Sequence, residues 1–114
     1  MFENYRIKNL EQEADINIRV VFDNPRMDMS DEKKLIEDMK IKYASLKERF
    51  KHDKKKILEV AIDWRDYTEG FSSNETLREV ATFADATDED FQKHNEIVAR
   101  MNEIQKRFDK LLKE

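Results

Sequence analysis

In a chain of 114 residues, one glycine and one proline stand far below their usual shares of about 7% and 5%, so glycine-rich phosphate loops and turn-dense β architectures are excluded. The absence of cysteine excludes disulfides, thiolate chemistry and cysteine-ligated zinc, and fits a reducing compartment. With 42% charged and 39% apolar residues and a net charge of −4, the chain is too apolar and too periodic for a disordered acidic segment and is long enough for one core, not two. The composition predicts an all-α fold in a single domain, residues 1–114.

The opening MFENYRIKNLEQE has neither a basic n-region nor an apolar h-region, and no run of about 18 apolar residues follows, so a cytoplasmic protein without a membrane span is expected. Ile7, Leu10, Ala14, Ile18 and Val21 recur at steps of three and four and predict a helix over 3–23, ending before Asn24-Pro25. The same stretch also reads as a strand, because Ile16, Ile18, Val20 and Phe22 alternate with other residues.

The next segment repeats the ambiguity on a larger scale. From Ile36, alternating steps of three and four reach Met39, Tyr43, Leu46, Phe50, Asp53, Ile57, Val60, Trp64, Tyr67 and Phe71, and only Asp53 is polar. Against this stands the strand-like alternation of Leu58, Val60, Ile62 and Trp64. The helical pattern covers five heptads, and no glycine or proline interrupts it between Pro25 and Gly70. A single helix over 30–69 is therefore expected, close to 60 Å long, with HDKKK at its middle as the place where it could break. Ser30 followed by Asp31 and Glu32 marks its start, and Gly70 followed by Phe71 marks its stop. Two further starts have capping-box spacing, Ser72 with Glu75 and Thr87 with Asp90, and predict helices over 73–84 and 88–113. In the last helix Ile97, Met101, Ile104, Phe108 and Leu111 form the stripe.

Four such helices, with aromatic side chains too bulky for the seam of a two-stranded coil, predict an elongated helical bundle or hairpin with coiled-coil-like packing around one long central helix. The large stripe residues Tyr43, Phe50, Trp64, Tyr67, Phe71 and Phe108 are candidates both for the core and for a partner-binding interface.

Charge is unevenly distributed. Residues 40–56 contain eight Lys/Arg against two Asp/Glu, a net of +6, and residues 59–90 contain two against ten, a net of −8. The basic patch Lys47, Arg49, Lys51, Lys54, Lys55 and Lys56 could contact phosphates, although no nucleic-acid-binding motif surrounds it. The acidic face of Asp63, Asp66, Glu69, Glu75, Glu79, Asp85, Asp88, Glu89 and Asp90 could imitate a phosphate backbone.

Signals of catalysis are weak. Asp63/Asp66 and Asp85/Asp88 form acidic i, i+3 pairs, but about six such pairs arise by chance at this acid content. They also lack the E-x-x-E…E-x-x-D pattern of the all-α metal-dependent nucleotide pyrophosphatases. The W-x-G turn of the small helical-hairpin secretion substrates is absent as well, since Arg65 and Asp66 follow Trp64. His52 and His94 have no ligand-spaced companions for zinc. The sequence thus leads to a non-catalytic helical protein–protein interaction module, a scaffold, adaptor or inhibitor that self-associates, with no cofactor or metal and a protein as partner. Three other functions stand beside it: an acidic nucleic-acid mimic acting through 59–90, a nucleic-acid binder using 40–56, and a weak metal-dependent nucleotide hydrolase.

Overall fold

The computed structural model describes the backbone of residues 2–23, 30–83 and 87–114 and the side chains of residues 4–23, 30–73 and 87–114. Among the described residues four helices follow one another: α1 (Phe2–Phe22), α2 (Ser30–Arg49), α3 (Lys54–Phe83) and α4 (Asp88–Lys113). No strand occurs among the described residues. The molecule is an all-α bundle measuring 49 × 26 × 24 Å. Its radius of gyration of 15.2 Å exceeds the value of about 13 Å for a compact chain of this length.

Two of the expected boundaries are corrected. The helix expected over 30–69 is two helices, broken at Phe50–Asp53. Asp53, the one polar residue in the long stripe, is the N-cap of α3: its Oδ1 accepts from the amide of Lys56 at 3.1 Å, and its carbonyl accepts from the amide of Ile57. The break lets the stripe fold back on itself. Ile36, Met39, Tyr43 and Leu46 of α2 lie buried with Ile57, Val60, Trp64 and Tyr67 of α3, so the apolar pattern finds its cover within the same chain.

The second correction concerns Gly70. It neither stops a helix nor takes a positive φ, and α3 runs through it to Phe83. Ser72 therefore lies inside α3 and opens no helix, and the side chain of Glu75 lies outside the described residues. The helix expected over 73–84 is the last part of α3. The start of α4 is as the spacing predicts: Thr87 accepts from the Asp90 amide at 3.2 Å while the Asp90 carboxylate accepts from the Thr87 amide at 3.0 Å.

Cross-helix pairs fix an up-down-up-down course. Glu13 and Asn17 of α1 meet Arg65 and Thr68 of α3 in the same order, so these two run parallel. Asp63 and Gly70 of α3 meet Arg107 and Met101 of α4 in reverse order. α3 is the central element, packed against each of the other three, and among the described residues α1 and α4 make no close backbone approach to one another. α1 is a flanking helix on α3, tied to α2 through Glu11, which accepts from Tyr43 Oη at 2.9 Å and from Lys47 Nζ at 2.8 Å, and through Phe22, over whose ring Lys33 Nζ lies at 5.4 Å.

Candidate interaction surface

The stripe residues considered for an interface are mostly interior. Tyr43, Trp64, Tyr67, Phe71 and Phe108 are buried and Phe50 is half-buried. They form an aromatic ladder across α2 and α3: Tyr43 stacks on Trp64 with centroids 5.7 Å apart, Trp64 on Tyr67 at 6.4 Å, and Tyr67 meets Phe71 edge-on at 5.2 Å. Gln105 of α4 donates to Tyr67 Oη at 2.7 Å. Burial raises the Tyr43 and Tyr67 hydroxyls above their ordinary pKa, Glu11 adding to the effect at Tyr43. Of their two readings, core and partner interface, Tyr43, Trp64, Tyr67, Phe71 and Phe108 take the core, where α2, α3 and α4 pack together, and Phe50 lies at its edge.

The acidic pair Asp63/Asp66 is occupied by cations of the chain itself. Arg100 Nη2 lies 3.1 Å from Asp63 Oδ1 and 3.2 Å from Asp66 Oδ2, and Arg65 holds Asp66 at 3.0 Å. Arg107 Nε stands 3.3 Å from Asp63 Oδ2 but off the line of a hydrogen bond, so that oxygen is compensated by charge without a directed bond. Burial pushes the Asp63 carboxyl above the ordinary aspartate range, while Arg107 and Arg100 pull it back. The arrangement is a polar clasp between α3 and α4. Among the described residues no group of three His, Asp or Glu side chains is placed to hold a metal ion.

The rest of the acidic face divides. Glu69, Asp88 and Glu89 are exposed, Asp90 is engaged in the α4 cap, and the side chains of Glu75, Glu79 and Asp85 lie outside the described residues. Of the basic patch, Lys47 pairs with Glu11, Arg49 donates to the Leu112 carbonyl at 3.1 Å, and Lys51 pairs with Glu48 at 3.2 Å. Lys56 lies over the Phe50 ring, and Lys54 and Lys55 are exposed. These three lysines occupy the first turn of α3, where the positive end of the helix opposes cations.

Folding sorts these charges by end. The up-down course brings the start of α1, the α2–α3 turn and the end of α4 together. Residues 4–8, 47–56 and 106–114 hold twelve Lys/Arg against four Asp/Glu, a net of +8. At the opposite end, residues 15–23, 30–38, 66–73 and 87–96 hold four against twelve, a net of −8.

One surface was missed by the sequence stripes. α1 buries Ile7, Leu10, Ala14 and Val21 on α3, yet on its outer face Tyr5 is 72% exposed, Ile16 59% and Val20 47%. At 100° per residue these three fall within about 60° of arc, on the side away from the buried stripe. The signal was the strand-like alternation itself. Residues i and i+4 share a helix face, so Ile18 and Phe22 point inward while Ile16 and Val20 point outward. The same alternation in α3 has both faces covered: Val60 and Trp64 are buried, and Leu58 and Ile62 pack against the core. In α1 the second face is bare. No known protein family, curated protein or solved structure matches this chain.

Proposed function

We propose that this chain is a non-catalytic helical protein–protein interaction module, a scaffold, adaptor or inhibitor that also associates with itself. The observation that supports it is the uncovered apolar line Tyr5, Ile16 and Val20 on the outer face of α1. Single exposed apolar side chains are ordinary, but three on one face of a helix already anchored by its other face form a surface suited to a second occupant.

Magnitudes define what kind of occupant. Fully burying a large apolar side chain is worth about 1.5–3 kcal/mol, so completing the burial of three half-exposed ones contributes roughly 3–4 kcal/mol. Association costs at least about 4 kcal/mol in lost freedom. The apolar line therefore needs help, and the charge carried at both ends of the bundle is the available source. A partner of complementary charge is favoured, with contact that weakens as salt rises.

The test compares the parent protein with the Ile16→Glu/Val20→Glu variant, both immobilised and exposed to an extract of the native host. Retained proteins are identified by mass spectrometry, and circular dichroism checks that the variant keeps its helices. A defined protein held by the parent and lost from the variant supports the proposal. Identical sets, or nothing held by either, a second copy of the chain included, overturn it.

A further inference from the structure

The geometry points to a second copy of this chain, laid antiparallel along the outer face of α1, as the occupant of Tyr5, Ile16 and Val20. This rests on that face being an interface, as proposed above, and names what covers it.

Charge sets the direction. With +8 at one end and −8 at the other, a copy in the same orientation would place like ends together, whereas a reversed copy sets each basic end beside an acidic one. Area decides between flank and tip. A stable dimer needs about 800 Å² from each partner, more than the 26 × 24 Å cross-section of a tip spans and less than the 49 × 26 Å span of a flank. Reversed flanks also satisfy both ends at once and close after two copies, where tip-to-tail contact leaves an end free and continues into a filament.

The register follows from α1. Tyr5, Asn9, Ile16 and Val20 lie along its outer face, and reversing a second α1 so that paired numbers sum to about 25 sets Tyr5 against Val20 of the copy and Asn9 against Ile16 of the copy. Lys8 and Asp15 are both exposed on the same side of that line, so Lys8 of each copy comes beside Asp15 of the other.

Sedimentation velocity tests the pairing, with a charge exchange as control. The parent should be a dimer at low salt, its dissociation constant rising roughly tenfold or more when salt is raised several-fold. Lys8→Glu and Asp15→Lys should each weaken the dimer about tenfold or more alone, and an equimolar mixture of the two should restore it, because the mixed pair has two opposite-charge contacts. Orientation is read independently by cysteine cross-linking, which the cysteine-free chain allows. Tyr5→Cys and Val20→Cys proteins should link to each other and not to themselves. Self-linked Tyr5→Cys, or single charge variants as dimeric as the parent, would overturn the inference. So would a parent that stays monomeric at low salt. A monomer that still retains a different protein through Ile16 and Val20 overturns the second copy but leaves the interface, while a monomer that retains nothing overturns both.

Discussion

Gly70 and Met101 approach so closely that a Cβ added at Gly70 would lie 2.6 Å from the Met101 sulfur and 2.7 Å from its Cγ, with Ile97 Cγ2 at 3.3 Å, and the Met101 side chain would have to shift. Met101 is itself buried, so its side chain has little room to withdraw. Gly70→Ala gains up to about 1 kcal/mol of helix propensity but forces overpacking worth roughly 1–3 kcal/mol, and a net loss of stability is expected. Urea unfolding of Gly70→Ala, Met101→Ala and the double variant checks this. The double variant should be more stable than the sum of the single losses requires, by about 1 kcal/mol.

Trp64 sits between the Tyr43 and Tyr67 rings and is 3% exposed. Trp64→Ala should cost roughly 3–5 kcal/mol or prevent folding, as measured by denaturant unfolding followed by far-ultraviolet circular dichroism. A variant as stable as the parent would show that the ladder does not hold α2 to α3.

High pH should act through the ladder as well. Tyr43 and Tyr67 have hydroxyls whose pKa is raised by burial above the ordinary value of 10.0. Above that value the unfolded chain releases these protons while the folded chain retains them, so the folded state binds more protons and stability falls as pH rises. The limiting slope is about 1.4 kcal/mol per pH unit for each tyrosine. Thermal unfolding measured from pH 9 upward should show the decline starting near pH 10. Replacing both tyrosines with phenylalanine should reduce the slope, even where the loss of the Glu11 and Gln105 contacts lowers stability overall.

Lys54 and Lys55 place two cations in the first turn of α3, against the helix dipole. Replacing both with glutamate should stabilise the folded monomer by roughly 1–2 kcal/mol, read as a higher melting temperature. The same pair tests phosphate binding. A labelled DNA duplex should not associate with the parent at physiological salt, because twelve excess negative charges lie outside the basic end and oppose a polyanion. Tight, salt-sensitive binding lost in the double variant would reverse that expectation.

Helix content, the buried stripes of α1, α2 and α4 and the cap at Thr87 were legible in the sequence, because each depends on local spacing. A stripe such as Ile97, Met101, Ile104, Phe108 and Leu111 selects a helix and a buried face whatever packs on it: four of these are buried and Ile97 packs at the edge. Asp53 shows the limit of that logic. One polar residue in a continuing stripe is consistent with either a tolerated exposure or an N-cap, and the choice turned on whether the two halves of the stripe gain more by packing on each other than by staying collinear. Gly70 carried the same double meaning, as a helix stop or as a place for a neighbour to approach, and the proximity of Met101 decided it.

Only the tertiary structure could assign the two alternating segments. Leu58, Val60, Ile62 and Trp64 and Ile16, Ile18, Val20 and Phe22 are equivalent patterns, each two i, i+4 pairs on opposite helix faces. α3 lies at the centre of the bundle, where both pairs are covered, while α1 lies at its edge, where Ile16 and Val20 are left exposed. Charge was decided in the same way. The sequence places +6 in residues 40–56 and −8 in residues 59–90, but the fold joins the first block to the start of α1 and the end of α4 and gathers the acids of four helices at the other end. Position in the bundle sets which apolar residues are interior and which charges add, and that depends on contacts between residues far apart in the chain.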